Sequence, residues 1–283
     1  MNATSPRSLP IQASDVYRVI EQLQCLSSSM APDFDEDGDA NWGPVVLCPR
    51  LSLDDFIKCL PILEDWSLSC WEYLPSNQST NEGSVVINRL PSKVHECTAC
   101  SIEYTIIKQI KDAVRQSNNL TIEFHSPPYP ICRIGNILQA PTQALIPDTL
   151  SLNNSSVIDA GFGSPFPAIV IEISYKNEKL ATLRSKLERW MSMQTSVQIA
   201  IGIKIFAISS RRVAILHRRG YCSQEIDFGD NNQWDLVLTF PLGAVFTGVD
   251  PLPHQLFDLQ NIPIVINLVC LREQIDLRIA RDN

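Results

Sequence analysis

Ile146-Pro147-Asp148, and after it Ala168-Ile169-Val170-Ile171-Glu172-Ile173-Ser174 with Lys186 on the segment that follows, is the stretch on which the fold of this chain turns. Ala168 to Ile171 is apolar without alternation and rich in β-branched side chains, the pattern of a central strand covered on both faces. Glu172 comes where that burial is expected to stop. A carboxylate after four buried apolar residues needs a partner, because an unpaired buried charge is costly. Two partners present themselves. Asp148 and Glu172, with a backbone carbonyl, would make an oxygen cage for a hard divalent cation, which takes such ligands in octahedral geometry. A plain salt bridge from Glu172 to Lys186 would satisfy the pair with no metal. Asp148 taken alone reads as a turn residue, since Asp after Pro accepts backbone hydrogen bonds.

Working outward, Ala99, Ile102, Ile106, Ile110 and Ala113 lie on one stripe of a helix predicted over Ser92–Arg115, and Glu96 and Glu103 flank it. Leu120–His125 alternates like a strand. Leu180, Leu183, Leu187, Trp190 and Met191 form the stripe of a later helix, with Lys186 on its flank. Val197–Ile208 and Arg212–Leu216 read as two strands joined by Ser209-Ser210-Arg211, and Trp234–Phe246 adds strand signal. The tail Ile262–Ile279 fits a strand or a helix. Upstream, Ser14 precedes a short helix with Val16, Val19, Ile20 and Leu23 on one side, and Ser52 caps a second that Pro61 bends. The polar stretch Pro75–Gly83 has linker composition and is taken as a boundary.

This order of elements resembles the PD-(D/E)XK nuclease superfamily, most closely its branch of uncharacterised restriction-endonuclease-like proteins, over about Leu90–Arg212. The resemblance implies an α/β fold, a restriction-endonuclease-like mixed β-sheet core flanked by helices. Around it are expected a helical N-terminal appendage with an acidic loop (residues 1–80), the core (81–215) and a β-rich C-terminal extension (216–283). It implies metal-dependent cleavage of DNA, with Mg²⁺ or Mn²⁺ held by Asp148, Glu172 and the Ile173 carbonyl. Lys186 takes the place of a lysine displaced from strand to helix, Lys176 is the second candidate, and Glu96 or Glu103 adds an outer contact or one to a second metal. Ser174 stands where the superfamily's usual lysine would be. The alternative is a catalytically inactive nuclease-fold protein acting as an interaction or nucleic-acid-binding module.

Composition bounds these readings. The 283 residues carry 45% hydrophobic side chains, enough for a sizeable core. No run reaches the roughly 18–20 apolar residues of a membrane span, so no membrane partner is expected. Nine cysteines without a regular framework predict reduced thiols and an intracellular setting, cytoplasmic or nuclear. A net charge of −8 argues against nonspecific coating of nucleic acid. The acids crowd the first quarter, however, and between Lys176 and Arg219 ten basic residues face Glu178 and Glu188, which leaves room for a local basic surface or a solvated helix face. DNA is the partner expected of an active enzyme, and the oligomeric state stays open, a homodimer included.

Three further motifs read as structure rather than chemistry. Asp33-x-Asp35-x-Asp37-Gly38 starts like a calcium loop, but Pro44 replaces its final glutamate. Cys97-x-x-Cys100 lacks a second pair at zinc spacing. Gly161-Phe162-Gly163 lacks the lysine of a phosphate loop and is expected as a turn.

Overall fold

A computed structural model describes residues 10–28, 35, 43–65, 71–76, 82–88, 92–116, 122–126, 130–150, 157–175, 178–206, 208–229 and 235–282. The elements run α1 (Ala13–Ser28), β1 (Val45–Ser52), α2 (Leu53–Asp65), β2 (Trp71–Pro75), β3 (Glu82–Ile87), α3 (Lys93–Gln116), β4 (Phe124–His125), β5 (Cys132–Ile134), β6 (Ile137–Gln139) and β7 (Gln143–Pro147). They continue with β8 (Ile169–Tyr175), α4 (Leu180–Trp190), β9 (Ile199–Ile205), β10 (Arg212–Arg218), β11 (Gln224–Asp227), β12 (Val237–Pro241), β13 (Pro263–Asn267) and α5 (Leu268–Asp282). The result is a mixed α/β structure, with several sheets flanked by helices.

The main sheet has the order β11-β10-β9-β8-β7-β4. Within it β8 and β9 are parallel, with α4 as their crossover, and the other pairs are antiparallel. Alternation of side chains along a strand divides the burial in two. Ile169, Ile171 and Ile173 of β8 and Ile199, Ile201, Ile203 and Ile205 of β9 join Ile102, Ile106 and Ile110 of α3 in one apolar cluster. Val170, Ala200, Val213 and Ile215 face the other way and pack on Leu183, Leu187 and Trp190 of α4. Both faces are thereby covered, which is why the strand sequences are apolar throughout. Each such aliphatic side chain contributes about 1.5–3 kcal/mol by leaving water. α4 comes close to the sheet over Gly202, where a Cβ would sit 2.6 Å from Leu187 Cδ1.

A second sheet has the order β1-β3-β2-β6-β5 and carries α1 and α2 on its own core. Its strands come from both sides of Pro75–Gly83. β2 and β3 pair antiparallel with Pro75 opposite Gly83, so the stretch expected as a domain boundary joins two neighbouring strands. The first 80 residues are also not purely helical, since β1 and β2 belong to this sheet. Ser52 Oγ accepts a hydrogen bond from the Asp55 backbone at 3.1 Å and caps α2, as its position predicts. At the C-terminus, β12 and β13 form a two-stranded ribbon and the tail resolves into β13 plus α5, which lies on α3. Gly161, Phe162 and Gly163 all have positive φ and form the expected turn, closed by a bridge between Asp159 and Pro165. The calcium-loop-like segment falls outside the described residues apart from Asp35.

Candidate functional site

Glu172 lies on β8 with its side chain on the α4 face, in phase with Val170 and out of phase with Ile171 and Ile173. It is buried, 4% exposed, and its Oε1 accepts a 2.7 Å hydrogen bond from Trp190 Nε1. Burial pushes the Glu172 carboxyl up to about 7, against the pull of Lys186 and of the Trp190 hydrogen bond, while the nearby negative charges of Glu178 and Glu72 push it further up. Cys132 of β5 is close enough to sense that charge, and desolvation followed by Glu172 raises its thiol to about 12.

Lys186 is also buried, and its ammonium is spoken for. Nζ stands 2.8 Å from Glu72 Oε1 and 2.6 Å from Glu178 Oε1, the latter an ion pair without hydrogen-bond alignment. Arg189 Nη1 reaches Glu72 Oε2 at 3.3 Å, and Asn88 Nδ2 donates to Glu72 Oε1 at 3.0 Å. Burial alone would raise the Glu72 carboxyl, but Lys186 and then Arg189 outweigh it and bring it down to about 2. Glu72 belongs to β2 of the second sheet, Glu178 to the turn between β8 and α4, and Lys186 and Arg189 to α4. The cluster therefore ties the two sheets together through one helix.

Of the remaining predicted residues, Asp148, Glu96 and Glu103 are not among the partners just named. β7 runs antiparallel to β8 with Gln143 opposite Ile171, so it is the start of β7 that lies beside Glu172, and Thr142 just before it turns toward α3. Thr142 Oγ1 accepts from the Ile173 N–H at 3.2 Å and lies 3.2 Å from His95 Nε2. Asp148 stands at the far end of β7, exposed, six residues or about 20 Å of strand from Thr142. The shared metal cage of Asp148, Glu172 and the Ile173 carbonyl is thus corrected: an antiparallel partner carries its end away from Glu172, and Asp148 is a turn residue whose N–H donates to the Glu123 carbonyl at 3.2 Å. Glu96 is half-buried at the start of α3, which covers the opposite face of the sheet. Glu103, also on α3, accepts from Ser126 Oγ and, at 2.9 Å, from Gln143 Nε2. Lys176 lies outside the described residues.

Several residues of the site were not singled out from sequence. Glu72, Glu178, Lys204 and the indole N–H of Trp190 all belong to it. The signal for two of them was present: a glutamate inside Trp71-Glu72-Tyr73 and a lysine inside Ile203-Lys204-Ile205 are charges within apolar strands. Lys204 is fully buried and is the register partner of Ser174 across the parallel pair. Its Nζ donates to the Glu178 carbonyl at 2.5 Å, and Ser174 Oγ donates to the same oxygen at 2.6 Å. An ammonium thus reaches the neighbourhood where an E-x-K lysine would lie, but from the adjacent strand.

The donor set does not suit Mg²⁺ or Mn²⁺, which require converging oxygens. The Glu172 carboxylate already accepts an indole N–H, which brings a positive hydrogen to the space a cation would need. Asp148 lies past the far end of β7, and among the described residues no group of three His, Cys, Asp or Glu side chains is placed to hold a metal. The basic run from Lys179 to Arg219 is largely neutralised as well. Arg184 grips Glu225 at 2.6 and 3.0 Å, Arg211 pairs with Asp227, Arg212 with Asp276 and Lys179 with Asp35, while Arg219 donates to the carbonyls of Val197, Met191 and Ser192.

No family model matches the chain, and no curated protein matches it. Among solved structures it is similar to one described as "a putative nuclease belonging to DUF820" from Anabaena variabilis ATCC 29413, with 14% identity and a TM-score of 0.45, over 80% of this chain and 99% of that one. No helix among the described residues is long and apolar enough to cross a membrane.

Proposed function

We propose that this chain is a nuclease-fold protein in which the catalytic position has become an internal ionic brace, and that it works as a noncatalytic interaction module. The order α3, β7, β8 with Glu172, α4 with Lys186, then β9 supports the nuclease-like part of the reading. One observation carries the noncatalytic part. Lys186, the residue cast as the catalytic lysine, is locked between Glu72 and Glu178, and Asp148 lies past the far end of β7 from Glu172. Phosphodiester cleavage by a metal needs oxygens that steady the ion and activate its water. Here the carboxylates have exchanged that task for holding an ammonium. The partner is a protein rather than DNA, because a net charge of −8 and paired arginines leave little cationic surface to displace phosphate counterions.

The test is nicking of supercoiled DNA with Mg²⁺, Mn²⁺ or EDTA, run beside Glu172→Gln, with retention on a DNA column measured in parallel. Wild type and variant should show the same background in every metal condition, and the protein should wash through the column at moderate salt. Metal-dependent nicking that disappears in Glu172→Gln would overturn the proposal and restore the endonuclease reading.

A further inference from the structure

Away from the ionic brace, α3 and α5 pack side by side and leave a cleft of about 250 Å³ between them, lined by Cys97, Thr98, Ser101, Gln274, Arg278 and Arg281, with Ile275 and Leu277 beside them. Each wall is one stripe of a helix. Gln274, Arg278 and Arg281 recur at intervals of four and three on α5, and Cys97 and Ser101 at an interval of four on α3, so their side chains face the same groove. The polar groups on these walls are unusually idle. Among the described residues, Arg278 and Arg281 have no ion pair or hydrogen bond, although the arginines between Arg184 and Arg219 nearly all do; the Ser101 hydroxyl and the Gln274 amide are equally without partners. Thr98, on the floor, already donates to the Val94 carbonyl at 2.6 Å. Among the described residues, no carboxylate lines the cleft.

We propose that this cleft binds a small phosphomonoester. Two guanidiniums three residues apart on one helix match a dianion in charge, and their planar forks suit the paired oxygens of phosphate. Ser101 and Gln274 offer two neutral donors to further oxygens, more than a carboxylate with two oxygens would use. Ile275 and Leu277 give the ester's organic group an apolar wall. The chain's overall acidity does not oppose this, since a local pair of unneutralised cations sets the field inside a concave site.

Phenyl phosphate and benzoate serve as probes, titrated into the full chain by calorimetry. A second readout follows alkylation of half-buried Cys97 by iodoacetamide, with exposed Cys222 as internal reference. Phenyl phosphate should bind in the millimolar range or better, slow modification of Cys97 but not of Cys222, and bind more tightly than benzoate. Charge-assisted hydrogen bonds of the usual strength predict that Arg278→Gln and Arg281→Gln each weaken binding about tenfold or more. Both arginines are exposed, so these variants should fold like the wild type. Absence of binding, equal binding by the double variant, an unprotected Cys97, or benzoate binding as well as phenyl phosphate would each overturn the assignment.

Discussion

Glu172→Gln should make the protein more stable at neutral and alkaline pH, by an amount that grows through a defined window. The Glu172 carboxyl lies at about 7 in the folded protein against an ordinary value of 4.5, chiefly because burial disfavours its charge. A raised carboxyl keeps its proton in the native state where the unfolded chain has lost it, so stability falls as pH rises through that interval. Below 4.5 both states are protonated and nothing is lost; above about 7 the full cost is present. At about 1.4 kcal/mol per pH unit the cost reaches about 3 kcal/mol. Glu72 acts in the opposite sense: its carboxyl sits at about 2, so its contribution is complete above 4.5 and lost as pH falls toward 2. Glutamine at 172 keeps the side chain's shape and an oxygen for the Trp190 N–H, but does not titrate. Urea unfolding followed by tryptophan fluorescence should therefore show the variant gaining about 3 kcal/mol on wild type between pH 4.5 and about pH 8, with the gain concentrated between 4.5 and 7. A difference between variant and wild type that stays constant across this range would refute the account of Glu172 as a buried, proton-holding carboxyl.

Other perturbations test the rest of the architecture. Lys186→Met strips the cation from Glu72 and Glu178 and should cost about 3–5 kcal/mol in the same unfolding assay, as for other broken buried pairs; a loss under about 1 kcal/mol would mean the cluster holds nothing together. Gly202→Ala should lose about 1–3 kcal/mol, because the new Cβ lands 2.6 Å from Leu187 Cδ1 and 3.3 Å from Leu183 Cδ2 and these buried leucine side chains must shift within a packed core. Asp148→Ala, at an exposed turn, should leave stability within about 0.5 kcal/mol of wild type; a larger drop would show a partner at that position.

Helices α3 and α4 were legible from their apolar stripes and the central strand β8 from an unbroken β-branched run, while the tail's helix α5 was not separable from a strand. Ser92 does accept the His95 N–H at 3.3 Å and α3 runs to Gln116, close to its expected ends. The expected hairpin after Val197 is β9 and β10, with Arg212 opposite Ile205. Such features are local: a cap, a stripe or an alternation is complete within a few residues, and burying it needs only some apolar neighbour. The Pro75–Gly83 stretch misled for the same reason, since turn and linker compositions are alike and only the pairing of β2 with β3 separates them.

What the chain determined unaided was that a carboxylate after the apolar run would need a partner, and that Lys186 would lie on the flank of the following helix; burial was expected to stop at Glu172 and instead continues through Ser174. Which residues met them was a matter of register and packing. The antiparallel course of β7 took Asp148 to the end away from Glu172, and the second sheet delivered Glu72 to Lys186 across more than a hundred residues of chain. Separation along the sequence carries no information about such encounters, because they are fixed by the offset between strands and the seating of one sheet on a helix, where a shift of one residue moves a side chain to the other face.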